Sequence, residues 1–105
     1  PDVAWSGGLT ECLKIAHLAQ AANLPVAPHI HGSAVAVAAG LHLLGAIQNG
    51  SMAETVFPAH PLMTDLVTDP LSIERDSGDI ILSEKPGLGI DLNLDVVEQY
   101  RISDK

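Results

Sequence analysis

Apolar positions in the first half of the chain follow two alternating rhythms. Asp2 to Trp5 is short, apolar and partly β-branched, and it stops at Ser6-Gly7-Gly8, a strong loop signal. Cys12, Ile15, Ala16, Ala19 and Ala22 then recur at helical spacing, while Lys14, His17 and Gln20 lie off that stripe. Thr10 is the predicted N-cap, with Glu11 in the first turn where a negative charge suits the helix dipole, and Asn23 closes the helix. Pro25-Val26-Ala27-Pro28 reads as a second strand, ending at His29-Ile30-His31-Gly32. Ser33 caps the next helix, which runs to about Ile47 and is apolar nearly all round, the pattern of a helix packed on several sides. After the turn at Gln48-Asn49-Gly50-Ser51, Met52 to Phe57 reads as a third strand with Glu54 inside it, before Pro58 and Pro61 break it.

Short strands alternating with helices of this length predict parallel βαβ units, so the fold class is α/β. The pattern changes from Leu71: Ile80-Ile81-Leu82 is a small strand, Lys85 to Gly89 a loop, and Asp95 to Tyr100 a short terminal helix. The chain therefore divides into residues 1–70, a set of βα units, and a tail over 71–105. Three parallel strands do not close a barrel, which needs eight strands and about 250 residues. An open three-stranded parallel sheet leaves edges and apolar helix faces uncovered. These units are expected to be the C-terminal portion of something larger.

Composition supports that expectation. Of 105 residues, 47% are hydrophobic and 17% charged, which excludes a disordered chain. Up to Gly50 the only charged side chains are Asp2, Glu11 and Lys14, whereas the remainder holds eleven acids against Arg75, Lys85, Arg101 and Lys105. A self-contained domain spreads solvating charge over its whole outside, so the apolar first half is expected to be covered by other protein. The net charge of −8 argues against nucleic acid or an anionic membrane as partner. Ser33 to Ile47 is shorter than the roughly 20 residues that span a bilayer and contains His42, so a buried helix in a soluble protein is expected. The single cysteine, Cys12, excludes an internal disulfide framework.

The candidate chemistry sits at strand ends. Asp2 and His29 fall at corresponding places in successive βα units, where α/β barrels collect catalytic groups. Adjacent parallel strands lie about 4.8 Å apart, so the two side chains can meet. A carboxylate bonded to an imidazole fixes its tautomer and raises its basicity, making a general base poised near neutrality. Glu54, in the next strand, is the third ionisable group expected at that rim, and as an acid it would need desolvation to stay partly protonated. The structural alternative turns Glu54 to the outer face, against a helix. His29 and His31 also read as a two-ligand metal clip, but no third ligand lies at local spacing. His17 and His42 read as structural and His60 as a loop residue, and Gly87-Leu88-Gly89 lacks the rest of a phosphate-binding pattern.

Pro1-Asp2-Val3-Ala4-Trp5-Ser6-Gly7-Gly8-Leu9-Thr10-Glu11, Lys14-Ile15-Ala16 and Pro25-Val26-Ala27-Pro28-His29 together resemble the enolase superfamily. More narrowly they are similar to the mandelate racemase and muconate lactonizing enzyme group with its acid-sugar dehydratases, and Pro86-Gly87-Leu88-Gly89-Ile90 resembles the group's closing segment. The resemblance implies the sixth to eighth strands of a TIM-type barrel, with a tail that packs on a capping domain. It makes Asp2 the aspartate of a His–Asp dyad, His29 the base that removes the proton α to a carboxylate, and Glu54 the glutamate that hydrogen-bonds the enolate-like intermediate. It also implies Mg²⁺ held by three acidic residues upstream of Pro1, so that no metal ligand lies in this chain. His31 departs from the commonest pattern and is a candidate substrate contact. The implied enzyme is a cytoplasmic homo-oligomer acting on a small carboxylate or sugar acid. Dehydration is the first expectation, racemisation or epimerisation the second, and an inert associating domain the third.

Overall fold

The computed structural model describes residues 1–74 and 76–102. Its helices are α1 (Gly8–Ala21), α2 (Ala34–Ala46), α3 (Pro61–Thr64) and α4 (Leu94–Gln99). The two long helices arise where the periodicity places them, with ends set by local chemistry. Helix α1 starts before Thr10 because Gly7 takes the left-handed region at φ 94° and serves as N-cap without a side-chain bond. Glu11 lies in the first turn and pairs with Lys14 at 2.6 Å. At the other end Asn23, at φ 56°, allows the Asn23 amide to donate to the Gln20 carbonyl and the Leu24 amide to donate to the Ala19 carbonyl. That paired closure satisfies carbonyls that the last turn leaves open.

Ser33 caps α2 by accepting a hydrogen bond from the Ala36 amide, and the helix buries Ala34, Ala38, Ala39, Gly40, Leu41 and Leu43. Small residues let neighbours come close. A methyl group on Gly40 would sit 2.8 Å from Cγ1 of the fully buried Ile30. Helices α1 and α2 pack on one another, and Cys12 and Ala16 of α1 are completely buried.

The expected strands are the main correction. The described residues contain three isolated bridges and no extended strand. Asp2 to Trp5 is a turn: the Asp2 carboxylate accepts from the Ala4 amide at 2.7 Å, and the Asp2 carbonyl accepts from the Trp5 and Ser6 amides. A short Asx side chain competes with a ladder for a nearby amide, and here it takes that of Ala4. Around Val26 the pairing survives as one parallel bridge to Gly50, since Pro25 and Pro28 carry no amide hydrogen. Its bonds run from the Val26 amide to the Asn49 carbonyl (2.8 Å) and from the Ser51 amide to the Val26 carbonyl (3.0 Å). The His29 amide donates to the Pro1 carbonyl at 2.9 Å. Thus residues 1–2, 26–30 and 49–51 lie side by side, joined by one backbone bond at His29 and two at Val26 rather than by ladders, and the third place falls to the expected turn at 49–51 instead of to Met52 to Phe57. Met52 to Phe57 pairs with nothing among the described residues, and of Ile80 to Leu82 only Ile80 pairs, antiparallel to Ile73.

Two features escaped the periodicity. Pro61, expected as a breaker, starts α3, where a missing amide hydrogen costs nothing in a first turn. The tail returns antiparallel, with Leu92 bridged to Val67, and Asn93 caps α4 through the Val96 amide. Large apolar side chains stand exposed in both halves rather than chiefly in the first: Trp5 and Leu18, but also Phe57, Leu94 and Ile102. No helix among the described residues is long and apolar enough to cross a membrane.

Candidate active site

The segment from Pro25 to His31 alternates as extended backbone does. Val26, Pro28 and Ile30 are buried, while Ala27, His29 and His31 are exposed on the opposite face. Ile30 anchors the segment against Gly40 of α2, so the two imidazoles are presented by backbone fixed from behind. Asp2 is positioned by its own turn, whose bonds hold one carboxylate oxygen at the Ala4 amide.

The other oxygen, Oδ2 of Asp2, lies 2.7 Å from Nδ1 of His29. This is the contact that their corresponding places in successive βα units lead one to expect. Because the carboxylate accepts, Nδ1 carries the proton and Nε2 is left as the free basic nitrogen. The hydrogen bond that His29 donates to the Asp2 carboxylate holds the His29 pKa above its ordinary value; partial desolvation opposes this, and the nearby Glu54 carboxylate adds to the rise. The same bond, with the Ala4 amide helping, holds the Asp2 carboxyl below the usual carboxylate range.

The stability consequences have opposite signs. The raised His29 contributes fully below about pH 6.5 and loses that contribution as pH rises through its folded value. The depressed Asp2 contributes above about pH 4 and loses it as pH falls through its folded value. The pair therefore supports the fold best between those limits. The His29 side chain is 56% exposed and that of Asp2 only 13%, so water screens the pair mainly from the imidazole side.

Glu54 is turned toward the same segment. Its Oε2 accepts from the Ile30 amide at 3.0 Å, one residue beyond His29, so it does not point outward to a helix. Its side chain is exposed, and the desolvation expected for it does not come from the described residues. His31 lies beside His29 with the rings nearly parallel, 9° apart, at a centroid distance of 5.9 Å. The remaining histidines stay apart from this rim: His17 is exposed on α1, His60 precedes α3, and His42 donates from Nε2 to the Leu88 carbonyl at 3.1 Å.

Two supports were invisible as side-chain patterns. The Ile30 amide that holds Glu54 is backbone and carries no residue signature. Asn49, expected only as a turn residue, donates from Nδ2 to the Ala16 and Leu24 carbonyls at 3.1 and 2.9 Å, tying α1 to the bridge at Gly50. Among the described residues no group of three or more His, Cys, Asp or Glu side chains is arranged to hold a metal ion.

Asp2 and His29, on neighbouring segments that each lead into a long helix, form a carboxylate–imidazole dyad, and Glu54 adds a second carboxylate from the next segment, so that the three make one polar rim. The family described as enolase C-terminal domain-like matches residues 1–96, and the chain belongs to it. The chain is 35% identical over 97 residues to a D-galactonate dehydratase of Verminephrobacter eiseniae, covering 89% of this chain and 25% of that protein. It is 30% identical over 100 residues to an arabinonate dehydratase of Saccharolobus solfataricus, covering 95% and 26%. A solved enolase of the mandelate racemase subgroup from Agrobacterium tumefaciens superposes with a TM-score of 0.76 at 36% identity, covering 90% of this chain and 25% of that one. The chain thus spans about a quarter of the length of the proteins it matches.

Proposed function

We propose that this chain supplies the base-bearing rim of an enzyme that removes the proton α to a carboxylate and dehydrates a sugar acid. The observation that carries this is the 2.7 Å bond between Asp2 and His29, which leaves Nε2 of His29 free and basic. Nε2 takes the α-proton, and the C–H electron pair moves into an enediolate. That pair then forms a carbon–carbon double bond as the β C–O bond breaks, and hydroxide leaves as water with a proton from Glu54 or from the newly protonated His29. The enol relaxes to a 2-oxo acid. Glu54 keeps Oε1 available, because Oε2 is engaged by the Ile30 amide. The likeness to galactonate and arabinonate dehydratases supports an aldonic acid as substrate.

No group of three or more His, Cys, Asp or Glu side chains that could hold a metal ion comes together among the described residues, and no step above is routed through a metal. Mg²⁺ belongs to this proposal as an ion held outside this chain, where it would neutralise charge on the carboxylate. A cytoplasmic homo-oligomer is likewise part of the proposal, supported by apolar side chains left open at Trp5 and Phe57. The test is to incubate the gene product carrying this chain with D-galactonate or an arabinonate and Mg²⁺ in deuterated water. A 2-oxo-3-deoxy acid is expected. Deuterium at the α-carbon without loss of water would instead establish racemisation or epimerisation, the reading that likeness to the mandelate racemase subgroup favours second. Neither product nor exchange would make the chain an inert associating domain.

A further inference from the structure

We infer that His31 determines substrate length at this site: its imidazole hydrogen-bonds a hydroxyl beyond the β-carbon of a polyhydroxylated acid, favouring long sugar acids over short ones. The inference rests on His29 being the α-proton base. Three observations lead to it. The alternation of Pro25 to His31 puts His29 and His31 on one exposed face, two residues apart, while Ile30 between them is buried as the anchor. The rings are nearly parallel with centroids 5.9 Å apart, so a molecule seated at Nε2 of His29 meets the second imidazole along its length. His29 spends Nδ1 on Asp2, whereas His31 makes no side-chain hydrogen bond among the described residues, which leaves two ring nitrogens for a ligand.

A metal clip uses the same pair less well. One nitrogen of His29 is already occupied by Asp2, and no third ligand joins them among the described residues. A neutral imidazole suits a hydroxyl because it both donates and accepts, and hydroxyls carry both functions. A site that pairs a substrate hydroxyl discriminates strongly against analogues lacking it, since its own polar group is then left unpaired. Glycerate offers an α-proton and a β-hydroxyl but nothing further along the chain; D-galactonate continues with three more hydroxyls.

The experiment compares these two acids in the gene product carrying this chain, reading α-proton exchange with deuterated water and Kd in parallel. His31→Phe keeps a planar ring beside His29 and removes the hydrogen bond. It is expected to lower kcat/KM for D-galactonate about tenfold, chiefly through KM, and to leave glycerate within about twofold. His31→Gln, which still donates and accepts, should recover most of the galactonate preference. Equal losses for both acids in His31→Phe would overturn the inference, as would an unchanged galactonate preference. Should His31→Phe fail to fold, the same comparison is read in His31→Leu. A wild-type protein that binds galactonate but neither dehydrates it nor exchanges its α-proton overturns the role of His29, and the ratio of the two Kd values with and without His31 still decides this inference.

Discussion

The first fifty residues and those after them use the same kinds of element with different outcomes. Before Gly50 two long helices bury small residues against each other, and the segments between them are held by bonds that cross the chain at Pro1, Val26 and Asn49. After Gly50 the helices are four and six residues long, bury nothing completely, and are joined by single antiparallel bridges at Val67–Leu92 and Ile73–Ile80. Charge follows the same division, since eleven of the thirteen acids lie beyond Gly50. The difference teaches that the ionisable rim is assembled largely by the apolar half. Asp2, His29 and His31 all belong to it, and Glu54 joins by reaching back to the Ile30 amide.

Removing the base is expected to have the largest effect. With the proposed function correct, His29→Asn should reduce α-proton exchange by about a thousandfold or more, measured by deuterium incorporation, with Mg²⁺ binding intact. Asp2→Asn should cost less and leave a different signature. Loss of the carboxylate lets the His29 pKa fall back toward about 6.5, so its NMR titration and the acid limb of kcat/KM both move to lower pH. An acid limb that stays in place would detach Asp2 from the base.

Among the described residues Glu54 is the one contribution to the rim from beyond Gly50, and its substitution asks whether that half takes part in the chemistry. Glu54→Gln keeps a carbonyl oxygen for the Ile30 amide but cannot deliver a proton. Turnover should fall by about a hundredfold, with a much smaller change in substrate Kd. Near-normal turnover would confine the chemistry to His29 and Asp2.

Two glycines of one helix sharpen the structural side. Gly40 of α2 faces the fully buried Ile30, and an added methyl would lie 2.8 Å from its Cγ1. Gly45 faces the later half, where the methyl would meet Cδ1 of the half-buried Leu82 at 2.5 Å. Alanine gains about 1 kcal/mol of helix propensity at either site. At Gly40 overpacking of about 1–3 kcal/mol should outweigh it, because Ile30 has nowhere to go. At Gly45 the end of Leu82 can swing into solvent, so Gly45→Ala should be near neutral. Urea denaturation of the two variants measures the contrast.

The same division governs what was legible. Cys12, Ala16 and the Ala-rich run of α2 repeat at helical spacing, and a helix satisfies its own backbone, so both long helices could be read locally. The ends were legible at Ser33, whose hydroxyl caps α2, and at Asn23, a residue type that tolerates the left-handed backbone it adopts there, and not at Gly7, which caps α1 with no side chain. Strands depend on neighbours. Asp2 to Trp5 has a strand composition, yet the Asp2 side chain takes the Ala4 amide and its carbonyl the next two for a turn, and Met52 to Phe57 finds no backbone partner among the described residues. The contact between Asp2 and His29 was legible because each lies on the segment that leads into one of the two long helices. The ring stacking of His31 and the engagement of Glu54 by a backbone amide required coordinates.

The smallest effect compares equivalent caps in the two regions. Ser33 and Asn93 each accept a hydrogen bond from an amide in the first turn of a helix, both at 3.5 Å. Replacing an N-cap by alanine typically costs about 1 kcal/mol when the helix it starts is part of the cooperative fold. Helix α2 meets that condition, since six of its thirteen residues are buried and Ile30 packs on it, so Ser33→Ala should lower stability by about 1 kcal/mol. Helix α4 has six residues and buries none of them completely. A helix that short frays on its own, and its opening need not unfold the rest. Asn93→Ala should therefore change global stability by less than about 0.5 kcal/mol, while amide hydrogen exchange at Val96 and Val97 speeds up. Equal losses of global stability in the two variants would mean that the later half is as tightly coupled to the core as the first, and the division drawn at Gly50 would be wrong.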